Sequence, residues 1–88
     1  MDFNLFIGNK IKSIRKFRNF SQEDLAYKAN IDRTYMSSIE RGKRNISLAI
    51  AIKISSALEV DLIKLIEKEN GSYITGQDIS GEDRVSEE

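Results

Sequence analysis

QEDLAYKANIDRTYMSSIER, residues Gln22 to Arg41, decides how this 88-residue chain is read. In its first part Leu25, Ala26 and Ala29 recur at helical spacing, and Ala26 is small enough to admit a second helix at close range. Asn30 stands at the turn, where a residue in the left-handed conformation usually ends a helix and where Asn is tolerated better than most side chains. Asp32 follows, its carboxylate suited to accept the free amide hydrogens of the next first turn. In that next helix, stepping about 100° per residue, Met36 and Ile39 point one way while Thr34, Ser37, Ser38 and Arg41 point the other. A merely solvated face has room for Glu and Lys. Short hydroxyls and a guanidinium suit groove edges and phosphates instead, although Ser is also common on helices that bind nothing.

Outward from this stretch, Ile7, Ile11, Ile14 and Phe17 predict a first helix from Leu5 to Arg18 with one buried stripe and a basic opposite face. Ser21 reads as the cap of the second helix, Asp24 completes a capping box and Phe20 is placed to staple onto Leu25. The second helix is expected to run to Ala29 and the third from Arg33 to Arg41, stopped by Gly42. Together they outline a helix-turn-helix. Lys43, Arg44 and Asn45 form a basic loop, and Ser47 caps a fourth helix, Leu48 to Leu58, with Leu48, Ala51, Ile54, Ser55 and Leu58 inward. A fifth helix, Leu62 to Lys68, is capped by Asp61. No alternating run of useful length exists, so the fold class is all-α: a compact five-helix domain over residues 1–69 followed by a flexible acidic tail over 70–88, from which Tyr73 and Ile74 could pack back. The fourth and fifth helices carry more aliphatic surface than one neighbour needs. Ile46, Ile50, Leu62, Ile63 and Ile66 are the candidates for a dimer interface; the other reading is that they complete the core.

Composition narrows the function class. A chain this short holds one small domain, which buries only a modest share of its unfolded surface. There is no Cys and no His, which removes disulfides, the usual zinc sites and the commonest general base, so no catalytic residue, metal or cofactor is expected. The zero net charge conceals an asymmetry: residues 1–69 hold 13 basic and 9 acidic side chains, residues 70–88 one basic and five acidic. A mildly basic body is compatible with a polyanion and equally with a solvated surface. The amino-terminal MDFNLFIGNK lacks a signal-peptide pattern, and the longest aliphatic run, Leu48 to Ile52, is far too short to span a bilayer, so a cytoplasmic, membrane-free protein is expected.

The run IRKFRNFSQEDLAYKANIDRTYMSSIERGKRN, with S-Q-E-x-L-A and later S-x-I-E-R-G, resembles the helix-turn-helix domains of the Cro and phage-repressor superfamily over about Phe6 to Ile66. Within it, the chain looks most like the controller proteins of restriction-modification systems, small dimeric regulators of operators near their own gene. The resemblance implies double-stranded DNA with an inverted-repeat operator, a second copy of the chain and RNA polymerase as partners, with the protein on the nucleoid when bound. It assigns Gln22 to a phosphate at a helix amino end, and Arg33, Thr34, Ser37 and Ser38 to the major groove, Arg33 on a guanine or a phosphate and Thr34 on a thymine methyl. Tyr35 flanks that face, as a phosphate contact or a partly buried side chain. Arg44 and Asn45 resemble operator-contacting residues, Lys43 a backbone contact, and Arg41 is held by DNA or by the domain. Arg15 and Glu40 are implied as a structural pair. Three positions depart from the family pattern: Asn30 and Glu59 stand where Gly is frequent, the latter implying a less sharply terminated fourth helix, and Ile46 stands where Pro is frequent. A prophage-type or antitoxin-type repressor is the nearest alternative, and an adaptor that has lost DNA binding a more distant one.

Overall fold

The computed structural model describes residues 2–68 and 71–72. Helix α1 spans Phe3–Phe17, starting two residues earlier than the apolar spacing suggests because the Asp2 carboxylate accepts the Leu5 amide at 3.1 Å and caps it. Its buried residues are Ile7, Gly8, Ile11 and Arg15, while Phe17 is 87% exposed. Phe17 thus leaves the expected stripe. On the helical wheel the buried arc is centred between Ile11 and Arg15, and Phe17 lies roughly 140° from that centre. Gly8 explains the rotation: a Cβ there would overlap the Ile39 carbonyl oxygen and stand 2.9 Å from that of Glu40, so two helix backbones touch.

Helix α2, Gln22–Ala29, opens with the reciprocal capping box: the Ser21 hydroxyl accepts the Asp24 amide and the Asp24 carboxylate accepts the Ser21 amide, each at 2.9 Å. The hydrogen bond from the Ser21 amide, then that from the Ser21 side chain, and the charge of Lys28 hold the Asp24 carboxyl below its ordinary range. Asn30 closes the helix at φ 57°, and the Ile31 amide returns to the Ala26 carbonyl at 2.9 Å. Helix α3, Arg33–Glu40, is capped by Asp32, which accepts the Tyr35 amide at 3.2 Å. Gly42, at φ 74°, turns the chain away, and its Cα lies so close to α1 that a Cβ would come within 2.8 Å of the Leu5 Cα.

Helix α4, Leu48–Leu58, is capped by Ser47 through the Ile50 amide at 3.1 Å. Its exit is sharper than expected, for Glu59 itself adopts the left-handed conformation at φ 60° and the Val60 amide bonds the Ser55 carbonyl at 3.0 Å. Leu48 is 66% exposed and not part of the inward stripe, since a residue in the first turn of α4 extends past the edge of the core. The expected fifth α-helix is a 3-10 helix over Leu62–Leu65, in which Asp61 makes no side-chain cap. Four residues with one β-branched member and no cap cannot nucleate an α-helix alone; docking of the buried Leu65 shapes the segment instead. Glu67–Lys68 then pairs antiparallel with Gly71–Ser72, a two-residue ladder on an otherwise all-helical domain. The rest of the expected acidic tail, Tyr73 and Ile74 included, lies outside the described residues.

Ile11, Leu25, Met36, Ile39, Ile54, Leu58 and Leu65 are fully buried, so every helix contributes to one core. Helix α3 packs on α1 and α2, while α4 packs on α2 and the 3-10 helix. Residues of α3 that face inward are thereby fixed from two sides, and its other face is left to solvent.

Candidate nucleic-acid interface

The orientation of α3 rests on a buried polar network. Arg15, 7% exposed, donates from Nε to Glu40 Oε2 at 2.7 Å and from Nη2 to Oε1 at 3.0 Å, a bidentate pair with a carboxylate whose residue is 4% exposed. Its remaining nitrogen donates to the Phe20 carbonyl at 2.9 Å. Gln22 Nε2 donates to Glu40 Oε1 at 3.1 Å. The Arg15–Glu40 pair therefore joins α1, the segment before α2, the first turn of α2 and the last turn of α3. A charge this deep is tolerable because it is paired and hydrogen-bonded: Glu40 accepts from Arg15 and Gln22, and Arg15 also reaches the Phe20 carbonyl.

With Met36 and Ile39 held inside, Arg33 and Thr34 stand exposed on the first turn of α3, and Ser37 and Ser38 are half-buried behind them. The Ser38 hydroxyl donates back to the Thr34 carbonyl at 3.1 Å, so its proton is engaged while its oxygen stays open to a donor. Tyr35 is half-buried with its ring against the core, and the Arg44 guanidinium carbon stands 5.2 Å from the ring centroid. Arg41, Lys43, Arg44 and Asn45 are exposed after the helix. Gln22 is half-buried, one amide hydrogen spent on Glu40. Among the described residues no ion pair ties down Arg33, Arg41, Lys43 or Arg44. Four cations and three hydroxyl residues, Thr34, Ser37 and Ser38, thus lie on and just beyond one short helix, able to meet phosphate oxygens and base edges.

A second surface begins at Ile46, directly after the basic loop in the chain. Phe3, Ile7, Ile46, Leu48, Ala51, Leu62 and Ile66 line an apolar groove of about 260 Å³. Of the expected interface residues, Ile46, Leu62 and Ile66 are brought together there; Ile50 packs on the core, Ile63 is half-buried, and neither lines the groove. Phe3, half exposed, and Leu48 were missed by sequence reasoning. The cap at Asp2 was the available signal for Phe3, because it brings that residue into the first turn of α1. Among the described residues no cluster of His, Cys, Asp and Glu is able to hold a metal, and no helix is long and apolar enough to cross a membrane.

Residues 11–65 match the helix-turn-helix family. The chain belongs to that family. Control protein C.MunI of a Mycoplasma species is 49% identical over 72 residues, which cover 77% of this chain and 97% of that one. Control protein C.BamHI of Bacillus amyloliquefaciens is 45% identical over 67 residues, covering 75% of this chain and 83% of its own. Among solved structures, the restriction-modification controller protein C.AhdI from Aeromonas hydrophila superposes with a TM-score of 0.69 at 34% identity, over 70% of this chain and 94% of that one. The helix-turn-helix family places this chain among DNA-binding transcription regulators and not among enzymes.

Proposed function

We propose that this helix-turn-helix protein is a restriction-modification controller: a homodimer that binds an inverted-repeat operator through α3 in the major groove and regulates transcription from it, with RNA polymerase as a further partner. The outward face of α3 carries this reading. Arg33 and Thr34 project from its amino-terminal turn, the part of a recognition helix that meets base edges, while the Arg15–Glu40 network keeps the opposite face inside. Arg33 reads a guanine and Thr34 a thymine methyl; Ser37 and Ser38 line the groove. Arg41, Lys43, Arg44 and Asn45 follow the backbone and the groove edge, and Gln22 offers its free amide hydrogen and the positive end of α2 to a phosphate. The likeness to control proteins C.MunI and C.BamHI supports the choice of controller over a generic repressor.

Two copies joined through the apolar groove would set their α3 helices about one duplex turn, some 34–36 Å, apart. Such a protein works in the cytoplasm, on the nucleoid. Selection of bound fragments from a random duplex library tests the proposal: it should return an inverted repeat with half-sites spaced by one turn, and affinity should fall steeply with salt as counterions are released. Recovery of single half-sites, or of no consensus, would count against it. Endonuclease and methyltransferase genes beside this one would separate a controller from other repressors.

A further inference from the structure

We infer that Tyr35 is a positioning residue for Arg44, its ring holding the guanidinium ready for the operator before DNA arrives. The inference rests on the proposed DNA-binding function and adds a division of labour within that site. Arg44 lies in the irregular segment between α3 and α4, exposed, where a long side chain has many rotamers and all but one must be given up on binding. Its one close partner among the described residues is the face of Tyr35, at 5.2 Å, inside the range for a cation–π contact. The ring is itself immobilised: Tyr35 sits at the third position of α3, its amide bonded to Asp32, and packs against the core. A rigid aromatic plate on the helix thus meets a mobile cation from the loop. The contact to Arg44 is made by the ring face, and the hydroxyl takes no part in it.

Among the described residues no other cation of the site has such a platform: Arg33, Arg41 and Lys43 are exposed and make no cation–π contact. The other cation–π contact in the domain, Lys28 over Phe20 at 5.0 Å, lies on α2, away from these loops. An ordered guanidinium binds more tightly than a free one because less rotamer freedom is lost on complex formation. The gain matches the contact that orders it, about two- to fivefold in affinity for an exposed cation–π pair.

The test is a double-mutant cycle on the selected operator, with Tyr35→Leu, Tyr35→Phe and Arg44→Ala, read alongside Arg33→Ala and thermal melting of each free variant. Tyr35→Leu should weaken binding about two- to fivefold in the parent and leave the Arg44→Ala background unchanged. Tyr35→Phe, which keeps the plate, should bind like the parent. In the free protein the Arg44 side-chain protons should show ring-current shifts that vanish in Tyr35→Leu, a readout indifferent to DNA and to modest losses of stability. Equal losses from Tyr35→Phe and Tyr35→Leu would assign the effect to the hydroxyl and overturn the inference, as would equal losses from Tyr35→Leu with and without Arg44. If Arg33→Ala and Arg44→Ala both bind operator and random duplex like the parent, the DNA-binding site itself is wrong; if they weaken binding and the cycle shows no coupling, only the positioning role falls.

Discussion

Glu40→Ala breaks the buried ion pair that ties α3 to α1. The carboxylate accepts two bonds from Arg15 and one from Gln22, and its removal leaves a guanidinium at 7% exposure with only the Phe20 carbonyl as acceptor. Breaking a buried pair from one side typically costs about 3–5 kcal/mol, whereas losing an exposed pair costs about 0–1 kcal/mol. A small domain has about 5–15 kcal/mol in total, so Glu40→Ala should sit near the edge of folding. Arg15→Met combined with Glu40→Leu removes both charges and refills the volume, and should recover most of the loss, because the cost of the single change is chiefly an orphaned charge. Urea titrations followed by circular dichroism measure this directly: the midpoint should drop steeply in Glu40→Ala and return in the double variant, with little change in slope. A loss below about 1 kcal/mol in Glu40→Ala would refute the reasoning, since it would rank the network with surface ion pairs.

Gly8→Ala should destabilise by about 1–3 kcal/mol in the same assay, for the overlap with the Ile39 carbonyl outweighs the roughly 1 kcal/mol gained in helix propensity. The pH dependence has a defined sign at Asp24. Its carboxyl is held below the ordinary range in the folded state, so the stability it contributes is present at neutral pH and lost as pH falls through the ordinary carboxylate range to the lowered one. Thermal melts of Asp24→Ala over that acidic window should accordingly lose less on acidification than the parent's. Leu48→Glu, at a position 66% exposed, should leave the fold intact and turn a dimer into a monomer in sedimentation velocity at tens of micromolar; an unchanged dimer would remove the groove as the interface.

Much of this fold is legible because helix ends are chemically marked. Ser21, Asp32 and Ser47 cap helices through their own side chains, and Asn30 and Gly42 take the left-handed conformations that their types favour. Periodicity fails where the buried face is not apolar. Gly8 and Arg15 carry the inward face of α1 toward α3 and do not register as a hydrophobic stripe, which is why Phe17 looked buried. It fails again at chain ends of elements, where Leu48 has the right phase and no core beside it. The 3-10 helix was read as α-helix because four aliphatic residues in five satisfy either period. Glu59 shows the reverse error: a residue type that rarely takes positive φ does so here, with its carboxylate 2.8 Å from Arg18, and ends α4 as Gly would. For the candidate interface, the resemblance named Arg15 as the partner of Glu40, and periodicity separated the outer from the inner face of α3. The Arg44–Tyr35 contact was out of reach of either, because it joins a loop to a helix across nine residues of irregular and helical chain.

Recognition of base pairs by the exposed turn of α3 is tested most directly by the ratio of operator to random-duplex affinity in the parent and in Arg33→Ala, measured by fluorescence anisotropy at one fixed salt concentration. Loss of a bidentate base contact predicts a fall of about 1–3 kcal/mol on the operator, roughly five- to 150-fold, with a much smaller fall on random duplex, so that the ratio narrows. An unchanged ratio, with both affinities falling together or neither falling, would show that Arg33 does not read sequence and would contradict the assignment of α3 as the recognition helix.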